Sequence, residues 1–197
     1  MIALNSNRKT LEAKGLIFEG IVGGFLKRSF SNTFVFYNKV FPAKFLKRQE
    51  TQVDIIFITN KAIFIIEAKD WSQFIEGDYN NYTWLGMGDA NLVMKVFSPV
   101  YQNYLHLRLV KSILRKQLDD IPPLINLVVV PDTCDIKSPC TEVIRFSSLK
   151  RRVNSEMSKL SKIYDVKALT KIIRRDSKDD GCRFESDGSL QLIDQFN

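Results

Sequence analysis

Residues 52–69 constrain the fold most: Gln-Val-Asp-Ile-Ile-Phe-Ile-Thr-Asn-Lys-Ala-Ile-Phe-Ile-Ile-Glu-Ala-Lys. Two runs rich in Ile and Phe flank a short polar break, the signature of two strands joined by a hairpin. A two-residue loop at Asn60-Lys61 sets Thr59 against Ala62, and paired residue numbers then sum to 121. Asp54 falls opposite Glu67, and side chains so placed have Cβ atoms about 4.5–5.5 Å apart. Like charges at that spacing repel, and a shared hard cation such as Mg²⁺, which takes carboxylate oxygens, relieves them. Lys69 lies two residues beyond Glu67, so the pleat puts it on the same face. Two carboxylates and a lysine on one face suit metal-assisted phosphodiester cleavage. The plainer reading is a solvated pair of strand-end acids with a surface counter-ion. The neighbours argue against it. Ile56 faces Ile65 and Ile58 faces Ile63 on the acidic face, while Val53, Ile55 and Phe57 meet Ala68, Ile66 and Phe64 on the other. Both faces are apolar, so the sheet is expected to be covered on both sides. The acids then sit at the end of a buried strand pair, where an uncompensated charge is costly.

The chain of 197 residues suits a single domain spanning 1–197. Its net charge of +7 is unevenly spread. Residues 1–50 carry nine Lys/Arg against three acids, residues 51–140 eight against ten, and residues 141–197 twelve against nine. An acidic centre between basic flanks fits a metal site bordered by phosphate-binding surface. Cys134, Cys140 and Cys182 do not make a disulfide framework, and a reduced, cytoplasmic setting is expected. With one histidine and a five-residue gap between Cys134 and Cys140, a structural zinc site is not expected. No signal peptide or membrane-spanning run is read, so no membrane partner is expected.

Along the chain, residues 8–29 read as a helix with Glu19 between Gly15 and Gly23 on one stripe. Small residues there allow close approach of another element while presenting one carboxylate. A surface glutamate beside packing glycines is the alternative. Residues 33–41 read as a strand, followed by a basic connection with Lys44, Lys47 and Arg48. Short strand signals appear near Phe74-Ile75, Tyr82–Trp84 and Lys95–Phe97. Ser98-Pro99 announces a helix to about Leu118. On it Gln102, Asn103 and His106 share one face, which suits either a phosphate-bearing cleft or a hydrogen-bonded packing patch. Leu124–Val130 suits a central strand, Glu142–Phe146 a shorter one, and Asp165 can cap a helix over Val166–Arg175. The tail from Asp176 holds either a last strand near Ser189–Ile193 or a frayed end.

These residues, taken together, resemble a known family. Asp54, the hairpin and Glu67-Ala68-Lys69 look like the PD-(D/E)-X-K nuclease core. The flanks resemble the nuclease-related domain, NERD, in Phe18-Glu19, Gln52-Val53-Asp54, the run Ala62–Lys69, Trp84, and the helix start Ser98-Pro99 with Gln102, Asn103 and His106. The likeness covers roughly residues 15–115. This chain departs from the family pattern at Phe18, Ile55, Ala62 and Ser98, without losing a carboxylate or the lysine.

The resemblance implies a restriction-endonuclease-like α/β/α fold with a central mixed sheet flanked by helices. It implies a DNA phosphodiesterase in which Asp54, Glu67 and the Ala68 carbonyl hold Mg²⁺ or Mn²⁺, Glu19 adds a carboxylate, and Lys69 serves the attacking water and the phosphate charge. Gln102 would reach the site. Gln52, Asn103, His106, Lys47 and Arg48 would contact nucleic acid or, for Gln52 and His106, steady the strand edge and Gln102. DNA over RNA rests on the family, because nothing in the chain reads a base and no aromatic single-strand platform is evident. The alternative is a non-catalytic nucleic-acid-binding or adaptor module on the same fold. Oligomeric state is open, a homodimer included.

Overall fold

Turn chemistry and burial fix the centre of the molecule. In the computed structural model, which describes residues 2–43, 49–88, 92–179, 182–184 and 190–192, Thr59 closes the hairpin. Its backbone N–H donates to the Ala62 carbonyl at 2.9 Å, and its hydroxyl oxygen accepts from the Ala62 N–H at 2.9 Å. The strands it joins, β2 (Glu50–Ile58) and β3 (Ile63–Ala68), pair as Ile55↔Ile66, Ile56↔Ile65, Phe57↔Phe64 and Ile58↔Ile63. That is the register the sequence predicts, and it is strongly specified because a one-residue slip would exchange two buried faces.

Around this hairpin a six-stranded mixed sheet runs in the order β10 (Lys178–Asp179), β1 (Phe34–Pro42), β2, β3, β7 (Leu124–Val130), β9 (Val143–Arg145). Pairing is antiparallel as far as β3, and β3, β7 and β9 are parallel. Helix α1 (Ile2–Ser29) and α3 (Leu149–Ser158) cover one face, burying Phe18, Val22, Leu26, Leu149 and Val153 against Ile55, Phe57, Phe64 and Ile66. The other face is covered by α2 (Pro99–Arg115) and α4 (Val166–Arg175), which bury Val110, Leu114, Leu169 and Ile173 against Ile56, Ile58, Ile63 and Ile65. The α/β/α layering is that of a restriction-endonuclease-like fold. A second sheet in the order β6 (Val93–Phe97), β5 (Thr83–Met87), β4 (Phe74–Glu76), β8 (Asp135–Lys137) carries its own core around Trp71, Ile75 and Trp84. Strands β11 (Cys182–Phe184) and β12 (Leu190–Leu192) pair with each other.

Helix ends follow the capping signals. The Ser98 hydroxyl accepts from the Tyr101 N–H at 3.2 Å with Pro99 in the first turn, and Asp165 accepts from the Lys167 N–H at 2.8 Å. Helix α2 ends at Arg115 rather than Leu118, because Lys116, Gln117 and Leu118 tighten into a turn. Cys134 and Cys140 are buried free thiols, and burial pushes Cys134 up to about 11. Among the described residues no helix is long and apolar enough to cross a membrane.

The two glycines flanking Glu19 differ. A Cβ on Gly23 would meet the Tyr37 ring at 2.1 Å, whereas one on Gly15 would meet nothing within 4 Å. Close approach is therefore needed at Gly23 alone. Alanine is about 1 kcal/mol better than glycine inside a helix, but overpacking costs about 1–3 kcal/mol. Gly23→Ala is expected to lower the melting temperature, while Gly15→Ala raises it or leaves it unchanged. Equal effects would mean that the Tyr37 contact does not set the helix position.

Candidate active site

The β2–β3 ladder stops one rung before the acids. After Ile55↔Ile66, backbone pairing ends, and the Ala68 N–H donates to Asp54 Oδ2 at 3.1 Å. A side-chain carboxylate thus takes the place of a strand partner. The cause lies in β1. Its register with β2 is the same on both sides, Tyr37↔Ile55 and Lys39↔Val53, but between them Asn38 has a φ of 47°. This left-handed conformation costs a non-glycine residue least when it is Asn or Asp. Both strands change pleat phase there. Val53 packs with Phe36 and Phe41 in the α2/α4 core, while Ile55 and Phe57 pack in the α1/α3 core. Strict alternation had put Val53 with Ile55 and Phe57, so that expectation is corrected. Gln52, exposed, braces the slip by donating from Nε2 to Asn38 Oδ1 at 2.8 Å. The Asn38 Nδ2 group is buried without a hydrogen-bond partner.

Glu67 is 1% exposed and forms an ion pair with Lys69 Nζ at 2.6 Å. Its other oxygen lies 3.6 Å from His106 Nδ1, an electrostatic contact too long for a good hydrogen bond. His106 Nε2 is 3.1 Å from the Thr51 hydroxyl, and its Nδ1 is buried with no hydrogen-bond partner. Glu19, 9% exposed, enters from α1 and adds its charge to the same locus. The electrostatics follow from crowding. Burial raises the Asp54 carboxyl well above its ordinary value, and repulsion from Glu67 and Glu19 raises it further, against Lys69 and the Ala68 N–H. Burial works against the Lys69 ammonium, but Glu67 and Asp54 outweigh it, so its value is raised and the lysine stays charged. Burial holds His106 below its ordinary value, partly offset by Glu67, so at neutral pH it is an uncharged imidazole.

This donor set suits a hard divalent cation. Asp54 and Glu67 offer carboxylate oxygens crowded enough to destabilise the charged form of Asp54. Among the described residues no group of three or more His, Cys, Asp or Glu is arranged to hold a metal ion. Mg²⁺ is ordinarily held by one or two carboxylates, with waters and substrate phosphate completing its shell.

The other residues singled out by sequence divide. Gln102 is half-buried on α2, and no described hydrogen bond joins its side chain to Asp54 or Glu67. Asn103, expected on a nucleic-acid face, is fully buried. Its Nδ2 reaches the Ile65 carbonyl at 2.7 Å, the Leu127 carbonyl at 2.9 Å and Asn126 Oδ1 at 2.6 Å. It clamps α2 to β3 and β7 and has nothing left for phosphate. His106, expected against phosphate or Gln102, is 4% exposed and faces Glu67 instead. Lys47 and Arg48 lie outside the described residues. Asn38, Thr51 and Asn126 were not singled out by sequence; only the unusual asparagine inside an apolar strand hinted at the first.

Comparison with known proteins adds three findings. A sequence profile of the nuclease-related domain, NERD, matches residues 14–131. An uncharacterized protein of Bacillus anthracis is 24% identical over 110 residues, 53% of this chain and 50% of that protein, so the chain spans about half the length of the curated relative it matches. No solved structure matches.

Proposed function

The chain belongs to the nuclease-related domain family, and from that premise we propose that it is a metal-dependent deoxyribonuclease hydrolysing DNA phosphodiester bonds. The observation that carries the reading is the crowding of Asp54 by Glu67 and Glu19 beside a charged Lys69. Asp54, Glu67 and the Ala68 carbonyl would hold Mg²⁺ or Mn²⁺, with Glu19 contributing directly or through water. The cation supplies Lewis-acid activation of water and charge stabilisation at the phosphate. Lys69, kept as an ammonium by its acidic neighbours, orients the nucleophilic water and stabilises charge developing on phosphate oxygens. In that protonation state it is a poor general base. His106, neutral and held by Thr51, lies against the Glu67 carboxylate on the α2 side and closes that side to water. Gln102, on the same helix, would contact substrate rather than the carboxylates.

A second reading, nucleic-acid binding without turnover, is favoured by the Glu67–Lys69 ion pair, which neutralises a ligand oxygen within the protein. Cleavage of linear, circular and single-stranded DNA with Mg²⁺ or Mn²⁺, against EDTA, decides between them. Wild type is expected to cut only with metal, and Glu67→Gln to lose about 10³-fold, the scale of removing a principal transition-state contact. A well-folded wild type that binds DNA but cuts none of the three substrates would establish the second reading. Cutting of circular DNA would identify an endonuclease.

A further inference from the structure

Helix α2 presents two distinct faces. Its inner side carries Asn103 to the sheet and His106 to Glu67. Its outer side carries Tyr101, Tyr104, Arg108, Lys111 and Arg115, spaced three and four residues apart and therefore in one stripe. The first turn begins among exposed rings. Tyr82 is 63% exposed, Phe97 46%, Tyr101 37% and Tyr104 45%. They touch in a chain: Tyr82 and Phe97 lie near-parallel at 6.5 Å, Tyr101 meets both edge-on at 5.1 and 5.5 Å, and Tyr104 follows at 6.2 Å. An open groove of about 470 Å³ continues along the helix, lined by Tyr104, Leu107, Ser112 and the cations Arg108, Lys111, Arg115 and Lys116. Helix α2 contains no acidic residue.

We infer that this face is a track for an unpaired DNA strand. Contiguous exposed rings are uncommon on a soluble surface and mark contact sites. Rings followed by a cationic groove are the two parts of a single-strand site: bases stack on the aromatics while phosphates follow the charge. A duplex keeps its bases stacked inside and offers those rings nothing. An apolar protein partner would gain nothing from three cations in line without an acid on the helix. From Tyr101 to Arg115 the track runs about 21 Å, enough for a site within the 4–16 nucleotides typical of single-strand modules. About one helix diameter, 10–12 Å, separates it from the Glu67 side of α2. The platform was not legible in sequence because its rings come from three separate segments, the loop before β5, the end of β6 and the start of α2.

The track names the substrate class of the proposed nuclease and rests on that reading only for what happens to the strand; binding is measured without cleavage. The probes are fluorescein-labelled oligo-dT of about 20 nucleotides and a duplex of equal length, titrated by anisotropy in EDTA. Tyr101→Ala/Tyr104→Ala is expected to weaken oligo-dT binding by about 10-fold or more, leaving duplex binding unchanged. Tyr101→Phe/Tyr104→Phe, which keeps the rings, retains wild-type affinity. Arg108→Gln/Lys111→Gln lowers the slope of log K against log salt by about 1.4, two phosphate contacts at 0.7 each. Oligo-dT binding unchanged in the alanine pair overturns the track. So does an equal loss on duplex, or a patch whose removal only abolishes a concentration-dependent dimer in sedimentation. Track-dependent binding by a wild type that never cuts would sink the nuclease and keep the track; cutting with no effect of the alanine pair on binding would do the reverse.

Discussion

Asp54→Asn is expected to abolish cleavage while making the metal-free protein harder to unfold. The two effects share one cause. Burial first, then Glu67 and Glu19, raise the Asp54 carboxyl well above its ordinary value. The folded state therefore holds that proton more tightly than the unfolded chain does. The stability this brings is fully present below the unfolded value, about 3.9, and is lost as pH rises through the folded value. As pH rises above the unfolded value, the metal-free fold bears a growing cost for burying that carboxyl beside Glu67 and Glu19. Asparagine removes the charge and keeps a side-chain oxygen for the Ala68 N–H. In EDTA at neutral pH the variant should melt about 2–4 °C above wild type, the scale of 1 kcal/mol in a chain of this size. The gap should close as pH falls toward 4. Added Mg²⁺ should raise the melting temperature of wild type, by mass action, and not that of the variant. Cleavage should fall about 10³-fold or more, since the proposed cation loses a ligand. A variant less stable than wild type at neutral pH would show that crowding does not govern the site. Undiminished cleavage would remove Asp54 from the machinery.

The second large effect is expected at a buried residue that touches no substrate. Asn103 Nδ2 donates into the gap between β3 and β7, and Asn126, which it contacts, donates in turn to the Val100 carbonyl of α2. Two asparagines therefore bolt the helix to the central strands. Asn103→Ala removes the donors, leaves buried acceptors short of a partner and opens a small cavity. Its cost should be about 2–4 kcal/mol, or roughly 5–15 °C in melting temperature. Asn103→Asp should be worse at neutral pH, because it sets a charge against carbonyl oxygens with no hydrogen to offer. It should recover in part on acidification, when the carboxyl can donate. If both variants melted like wild type, α2 would be held by its apolar face alone. A lysine-paired Glu67 that kept His106 at its side in Asn103→Ala would point the same way.

Much of this was readable from the residues. The hairpin register followed from the Thr59–Ala62 turn and two apolar faces, and the capping residues Ser98 and Asp165 placed two helices closely. What escaped has a physical pattern. The period-2 rule assumes an unbroken pleat, and Asn38 breaks it from the neighbouring strand, where the sequence of β2 carries no trace. A polar helical stripe has the same spacing whether buried or wet, so Asn103 and His106 looked like substrate contacts until burial separated them from Gln102. Strands β4, β5 and β6 were visible as fragments, but their closure into a second sheet with β8 depends on long-range pairing. The joining of Asp54, Glu67 and Lys69 was legible because one hairpin delivers all three; Glu19 needed the family pattern, because α1 approaches from another layer.

The end of the β2–β3 ladder also makes one backbone atom a witness to charge. The Ala68 amide proton is held by a carboxylate instead of a carbonyl, so its resonance and its exchange with solvent depend on whether Asp54 is protonated, ionised or engaged elsewhere. The next amide along differs, the Lys69 N–H donating to the Val129 carbonyl at 3.0 Å. A single labelled alanine therefore reads the state of the centre directly, in the intact protein, without substrate and without altering any residue of the site.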